Sequence, residues 1–159
     1  MAKKVEIIAV FAICTAFITT APGAVSGFIA RADDSGVALY NGINQLRPGC
    51  GPISDDPRLT EAAQRHADDM LRSGISGHVG SDGSSPQARI TAAGYRSRYS
   101  GEIVFWGTGS AATAKEALDM WMQSPPHRDI ILNCAYNAGG FATAWDGTKM
   151  TAVGDFAAS

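Results

Sequence analysis

The segment Phe141-Ala142-Thr143-Ala144-Trp145-Asp146-Gly147-Thr148-Lys149-Met150-Thr151-Ala152-Val153 decides the fold class. Two runs rich in apolar, aromatic and Thr residues flank Asp146-Gly147. That dipeptide suits the positive φ angles of a type I′ turn, so the segment is predicted to be an antiparallel hairpin. A third strand is expected at Ile103-Val104-Phe105-Trp106, where Ser100-Gly101-Glu102 supplies a Gly break and one carboxylate at its start. The chain before these strands reads as helical. Helices first, then a small antiparallel sheet with one helix inserted, is an α+β plan with helices covering the sheet.

The helices are marked by caps and period. Asp33, Asp34 or Ser35 can cap a first helix in which Val37, Leu39, Tyr40, Ile43 and Leu46 recur at roughly helical spacing, ended by Pro48-Gly49. The clearest helix follows. Asp56 is a good N-cap with Pro57 at the first helical position, and Leu59, Ala62, Ala63, His66, Ala67, Met70 and Leu71 share one face. Ser73-Gly74 stops it. Gly74 to Ser85 is a Gly/Ser-rich loop containing His78, and a short helix from about Pro86 to Ala93 ends at Gly94. Thr113-Ala114-Lys115-Glu116 has the form of a capping box, opening a helix whose buried face is Ala117, Leu118, Trp121 and Met122. Pro125-Pro126 breaks that helix, and Asp129 to Leu132 reads as one more short apolar turn.

At 159 residues the chain suits a single core. Residues 1–32 read as a removable export signal: Lys3 and Lys4 are the basic start, and Ile7 through Thr20 is the apolar run. Pro22-Gly23 breaks the run, and Ala30-Arg31-Ala32 offers small residues at both recognition positions. Cleavage is expected after Ala32, with Ala24-Val25-Ser26 as the alternative site, leaving residues 33–159 as one domain. The apolar run is short for a membrane anchor, so no stable anchor is expected once the signal is gone. Export changes the cysteine arithmetic. Cys14 leaves with the signal, and Cys50 and Cys134 remain as a pair expected to form a disulfide in an oxidising compartment; two free thiols or a metal pair would lack the support of a CxxC spacing. Of the 13 basic and 15 acidic residues, Lys3, Lys4, Arg31 and Glu6 lie in the signal, which leaves the remainder at a net −4. Basic residues are scattered on that remainder, so no nucleic-acid partner is expected.

No HExxH and no GxSxG are present. Gly107-Thr108-Gly109-Ser110-Ala111-Ala112 matches GxGxxA, but the helix after it runs into Ser124-Pro125-Pro126 and not into a second parallel strand, so a dinucleotide site is not expected. His66 lies on an apolar helix face and reads as a packing histidine hydrogen-bonded to a neighbouring loop. What remains is His78, Glu102 and His127, each in a loop or at an element end. Two imidazoles can bind a divalent metal such as zinc, a carboxylate beside them can ligate it or orient a ring, and the same groups can run acid–base chemistry on a bound water.

A set of motifs, in order, resembles the CAP superfamily: cysteine-rich secretory proteins, antigen 5 and plant pathogenesis-related 1 proteins. It runs from Asn44-Gln45-Leu46-Arg47 through the Leu59 to Met70 helix with Ala62-Ala63 to Gly77-His78 followed by Asp82-Gly83. It continues through Arg89-Ile90, Ala93-Gly94-Tyr95, Gly101-Glu102 and Trp121-Met122-Gln123-Ser124-Pro125-Pro126-His127-Arg128 to the terminal hairpin. The resemblance covers about Val37 to Phe156. It implies an α-β-α sandwich with an open cleft lined by two histidines and two acidic residues, of which His78, Glu102 and His127 match three.

Some members of the family bind zinc or another divalent cation there, others bind sterols or lipids, and protease activity has been claimed for a few. The expected function is therefore a secreted, non-enzymatic binding protein acting at the host or envelope interface. Its cleft would hold a divalent metal or small ligand, with a metal-assisted hydrolase and a lipid- or sterol-binding protein as alternatives; the small ligand, lipid or protein partner is not identified by the motifs. Two departures matter. Ile103 stands where the family usually has Asn, and Ser124 stands where eukaryotic relatives carry the second acid. The fourth cleft member is thus open, with Asp119 a candidate.

Overall fold

The computed structural model describes residues 26–158, arranged as five helices and a four-stranded mixed sheet. The helices are α1 (Ser26–Leu46), α2 (Pro57–Ser73), α3 (Pro86–Ala92), α4 (Ala114–Gln123) and α5 (Pro125–Ile131). The strands are β1 (Ser54–Asp55), β2 (Tyr99–Thr108), β3 (Ala138–Trp145) and β4 (Lys149–Ala158), ordered β1-β3-β4-β2 across the sheet. Strands β2, β3 and β4 pair antiparallel, while β1 runs parallel to β3. The sheet is therefore mixed, and its fourth strand is one that sequence pattern did not reveal. Two exposed polar residues carry no alternation to read.

The caps behave as their chemistry dictates. The Asp56 side chain accepts from the Arg58 N–H and Pro57 occupies the first turn of α2, where its missing N–H costs nothing. Gly74 ends α2 in the left-handed conformation at φ 73°, and its N–H donates to the Met70 carbonyl. Thr113 caps α4 through Glu116 N. Three boundaries differ from expectation. Helix α1 begins at Ser26, so its backbone runs through Asp33–Ser35 without a cap there and through the expected cleavage position after Ala32; residues 1–25, which hold most of the expected signal, lie outside the described residues. Pro125-Pro126 does not merely break a helix. It opens α5, because proline preset near φ −65° suits a first helical turn. The hairpin turn places only Gly147 at positive φ, with no non-Gly residue there, so it is not the type I′ turn that Asp146-Gly147 suggested.

Alternation along the strands divides the core into two layers. On one face Ile103, Phe141, Met150, Ala152 and Phe156 pack against Leu39 and Ile43 of α1, Trp121 of α4 and Ile131 of α5. On the other, Ala138, Ala142, Ala144, Val153 and Ala157 meet Leu59, Ala62, Ala63, Ala67 and Met70 of α2 and Ile90 of α3. Val37, though in helical phase, is exposed, as it sits on the rim of α1. The small residues on the α2 side set a short interlayer distance. A Cβ on Gly140 would lie 2.0 Å from Thr60 N and 2.2 Å from the Leu59 carbonyl carbon, both backbone atoms that cannot yield without moving α2. Gly140→Ala is accordingly expected to cost about 3 kcal/mol, the upper range for overpacking. In urea titration the midpoint should drop with an unchanged slope.

The loops that follow α1 and α5 are tied together. Cys50 and Cys134 form a disulfide, as export had suggested. The guanidinium of Arg47, itself buried, donates to the carbonyls of Ile131, Asn133 (3.1 Å) and Tyr136 (2.9 Å). Both devices fasten the chain immediately after His127 to the end of α1.

Candidate functional site

Strand β2 is an outer strand of the sheet, and the cleft lies along its free side. One wall is the loop after α2, carrying Ser76, Gly77 and His78. The other is formed by Met120 and Trp121 of α4 and by Ser124 and His127 at the start of α5. Together with Val104, Phe105 and Trp106 they enclose about 600 Å³. His78 and His127, distant in sequence, thus open into one cavity. On the other side of His78 a second depression of about 330 Å³ continues the cleft along Ser100, Gly101 and Glu102, with Ser85, Pro86 and Gln87 opposite.

Each imidazole is held by an oxygen on Nδ1. His78 Nδ1 lies 2.8 Å from Glu102 Oε1, and His127 Nδ1 lies 2.7 Å from Ser124 Oγ. A carboxylate facing Nδ1 accepts a hydrogen bond from its N–H, which leaves Nε2 of His78 as an acceptor or ligand atom. Among the described residues neither Nε2 has a hydrogen-bond partner. Ser124 is positioned by helix geometry: it is the N-cap residue of α5, yet its side chain makes no capping bond and turns instead to the ring three residues on. Burial, and next the nearby His78, pull the His127 pKa below the ordinary histidine value, so its neutral form prevails at neutral pH.

Glu102 does not face the cavity. Its side chain is 1% exposed, and its two oxygens are engaged by His78 and by Arg89, whose guanidinium sits 2.6 Å from Oε2. Arg89 also donates to the His78 carbonyl (3.0 Å) and the Ser84 carbonyl (2.9 Å), so one buried cation fixes both the ring partner and the loop that carries the ring. His66 completes the support. It is fully buried and bonds the Gly77 carbonyl through Nε2 at 2.9 Å, the loop contact expected of a packing histidine, and burial lowers its pKa. From the exposed side of the same loop, Asp69 accepts from Ser81 N and Oγ, and Arg65 pairs with Asp82.

Asp119 is not in the cleft; it pairs with Lys115 one turn back on the exposed side of α4. The acid that adjoins Glu102 is Asp155, its cross-strand partner on β4, fully buried and without a donor for either oxygen among the described residues. Burial, and then the Glu102 charge, push the Asp155 carboxyl well above the usual carboxylate range, with Arg89 opposing. Asp155 thus favours its neutral form beside the Arg89–Glu102 ion pair. An acid with a raised folded pKa is most favourable at low pH. Its contribution falls as pH climbs from the unfolded aspartate value near ~3.9 toward the folded pKa. Asp155→Asn should remove that decline. The difference in thermal midpoint between variant and wild type is expected to favour the variant increasingly from pH 4 to 7.

Sequence reasoning named His78, Glu102 and His127 and the loop contact of His66, and missed three groups around them. Ser124 was legible in the Ser-x-x-His spacing on one helical turn. Asp155 was legible as the lone acid in the run Met150–Ala158. Arg89 carried no local signal, because its role depends on how α3 lies over β2.

An α-β-α sandwich with a two-histidine cleft at the open edge of its sheet is the class defined by these features. The model of the CAP, or cysteine-rich secretory protein, family matches residues 40–156, and the chain belongs to that family. No curated protein matches the chain. Among solved structures it is similar to an extracellular protein containing an SCP domain from Bacillus anthracis, with TM-score 0.73 and 16% identity over 88% of this chain and 45% of that one. It is similar to an outer surface protein from Borrelia burgdorferi, with TM-score 0.71 and 20% identity over 79% of this chain and 92% of that one. It also resembles a cysteine-rich secretory protein from Staphylococcus aureus, with TM-score 0.63 and 16% identity over 82% of this chain and 40% of that one. The chain thus spans less than half of the Bacillus and Staphylococcus proteins and nearly all of the Borrelia one. Among the described residues no helix is long and apolar enough to cross a membrane.

Proposed function

We propose that this chain is an exported CAP-family binding domain whose cleft holds a divalent cation or small ligand between the Nε2 atoms of His78 and His127. The observation that carries the reading is that both rings are tied through Nδ1 by a protein oxygen at the wall of one cavity. Histidines that bind metals almost always have the second ring nitrogen tied in this way, often to a carboxylate.

The donor set fits a cation with two protein ligands. Glu102, first considered as a ligand, has both oxygens engaged and serves as the group behind His78. No cluster of three or more His, Cys, Asp or Glu side chains suited to a metal occurs among the described residues, so water or the ligand itself would complete the shell. A cation held there would supply a positive charge for a carboxylate or carbonyl of the ligand. The protein's part is to hold the rings, and to offer Val104, Phe105, Trp106 and Met120 as an apolar wall. The engagement of Glu102 also weighs against the hydrolase reading, which needs a carboxylate free to take a proton from water.

Zinc titration by calorimetry tests the assignment. His78→Ala/His127→Ala is expected to lose at least about tenfold in affinity, since losing only the group that orients a metal-binding histidine already costs that much. Equal affinity in wild type and the double variant would refute it.

A further inference from the structure

We propose that the cleft receives an extended peptide segment, which adds as a strand to the free edge of β2 between the two histidine-bearing walls. The inference rests on reading the cleft as a binding site, but on main-chain groups and not on the imidazoles.

The register settles which groups are free. Gly109 N–H donates to the Thr148 carbonyl, one step beyond the Thr108–Lys149 pair, so odd-numbered residues of β2 bond to β4. Antiparallel pairs alternate, and the even-numbered Ser100, Glu102, Val104 and Trp106 therefore turn their N–H and C=O groups outward. Trp121 Nε1 donates to the Val104 carbonyl at 2.9 Å, which confirms that this carbonyl faces away from the sheet. The other outward groups, the four N–H groups and the carbonyls of Ser100, Glu102 and Trp106, have no hydrogen-bond partner among the described residues.

A ten-residue edge strand is a template for pairing, and proteins usually blunt such edges with Lys, Pro or a covering element. β2 contains neither Lys nor Pro. Both depressions of the cleft lie along it, with Ser100 to Glu102 in one and Val104 to Trp106 in the other, and His78 between them. The occupant follows from the shape. The edge lies between the Ser76–His78 loop and the α4–α5 wall, so a single extended chain can enter where the broad edge of a second copy's sheet would meet both walls. A strand laid there would pair its main chain with β2 and set its side chains alternately beside Trp106 on one face and beside Phe105 and Met120 on the other. Trp106 and Met120 are 52% and 50% exposed.

Amide exchange reads the pairing directly. A random octapeptide library displayed on phage is selected against the full chain, and the enriched peptides are synthesised and added to labelled protein. The amides of Ser100, Glu102, Val104 and Trp106 are expected to slow at least about tenfold, while those of Gly101, Ile103 and Phe105, already bonded to β4, change little. Val104→Pro removes one outward N–H without touching a ladder bond and should weaken the peptide about tenfold. No enrichment over an unrelated protein, or enriched peptides that leave these four amides unprotected, would overturn the proposal. The two readings fail separately. Zinc binding lost in His78→Ala/His127→Ala with no edge protection by any peptide sinks only the strand addition, and edge protection with no dependence of zinc affinity on the histidines sinks only the cation site.

Discussion

Replacing Arg89 by Met is expected to lower stability by about 3–5 kcal/mol at neutral pH, the range for breaking a buried ion pair from one side. The side chain is 1% exposed and is the positive partner of Glu102, which is equally buried. Removing it leaves a carboxylate with no cation inside the protein, while Asp155 lies beside it. The same guanidinium holds the His78 and Ser84 carbonyls, so the loop of the cleft loses its anchor at the same time. The pH dependence separates the charge effect from packing. Without Arg89 the buried Glu102 carboxylate has no cation, and protonation at lower pH relieves that cost. The deficit should therefore shrink as pH falls toward the ordinary glutamate range near ~4.3, below which the unfolded chain is protonated too. Adding Glu102→Gln in the same background should recover part of the loss at neutral pH. Urea unfolding at pH 4 and pH 7 measures both, and a deficit independent of pH would show that packing alone was lost.

Cys50→Ala/Cys134→Ala carries the second large effect, a loss of about 4 kcal/mol from releasing a closed loop in the unfolded chain. The sequence separation of 84 puts this bond toward the strong end of the loop-length dependence. The native cleft should change far less. Arg47 fastens the same segment through the Ile131, Asn133 and Tyr136 carbonyls and remains in place in the variant. The expected result is a large fall in the denaturation midpoint with zinc affinity within about threefold of wild type, a difference well under 1 kcal/mol. A comparable loss in both would mean that the disulfide shapes the folded site as well.

These two cases show what local sequence can and cannot disclose. Asp56-Pro57, Thr113 with Glu116, and Gly74 were legible because a cap is completed within one turn of its own helix. The cysteine pair was legible because only two thiols lie outside the expected signal, which leaves little choice of partner. β1 escaped notice because its two residues owe their strand geometry to β3, and Pro125-Pro126 read as a stop because the same ring that ends one helix is preset to begin the next. The site divides along the same line. His78, Glu102 and His127 stood out as polar groups at element ends. Asp155 became a neighbour of Glu102 only through the β2–β4 register, in which a shift of one residue would send its side chain to the opposite face. Asp119 looked eligible by sequence distance and is excluded by helix phase, which pairs it with Lys115.

The central claim is that His78 and His127 meet one ligand through Nε2 while their Nδ1 atoms stay with Glu102 and Ser124. Long-range proton–nitrogen spectra of the two imidazoles, recorded before and after zinc addition, test it most directly. The account predicts that both Nε2 resonances move together to the metal-bound range while Nδ1 of His78 remains protonated against Glu102. Movement of only one ring, or coordination through Nδ1, would contradict it.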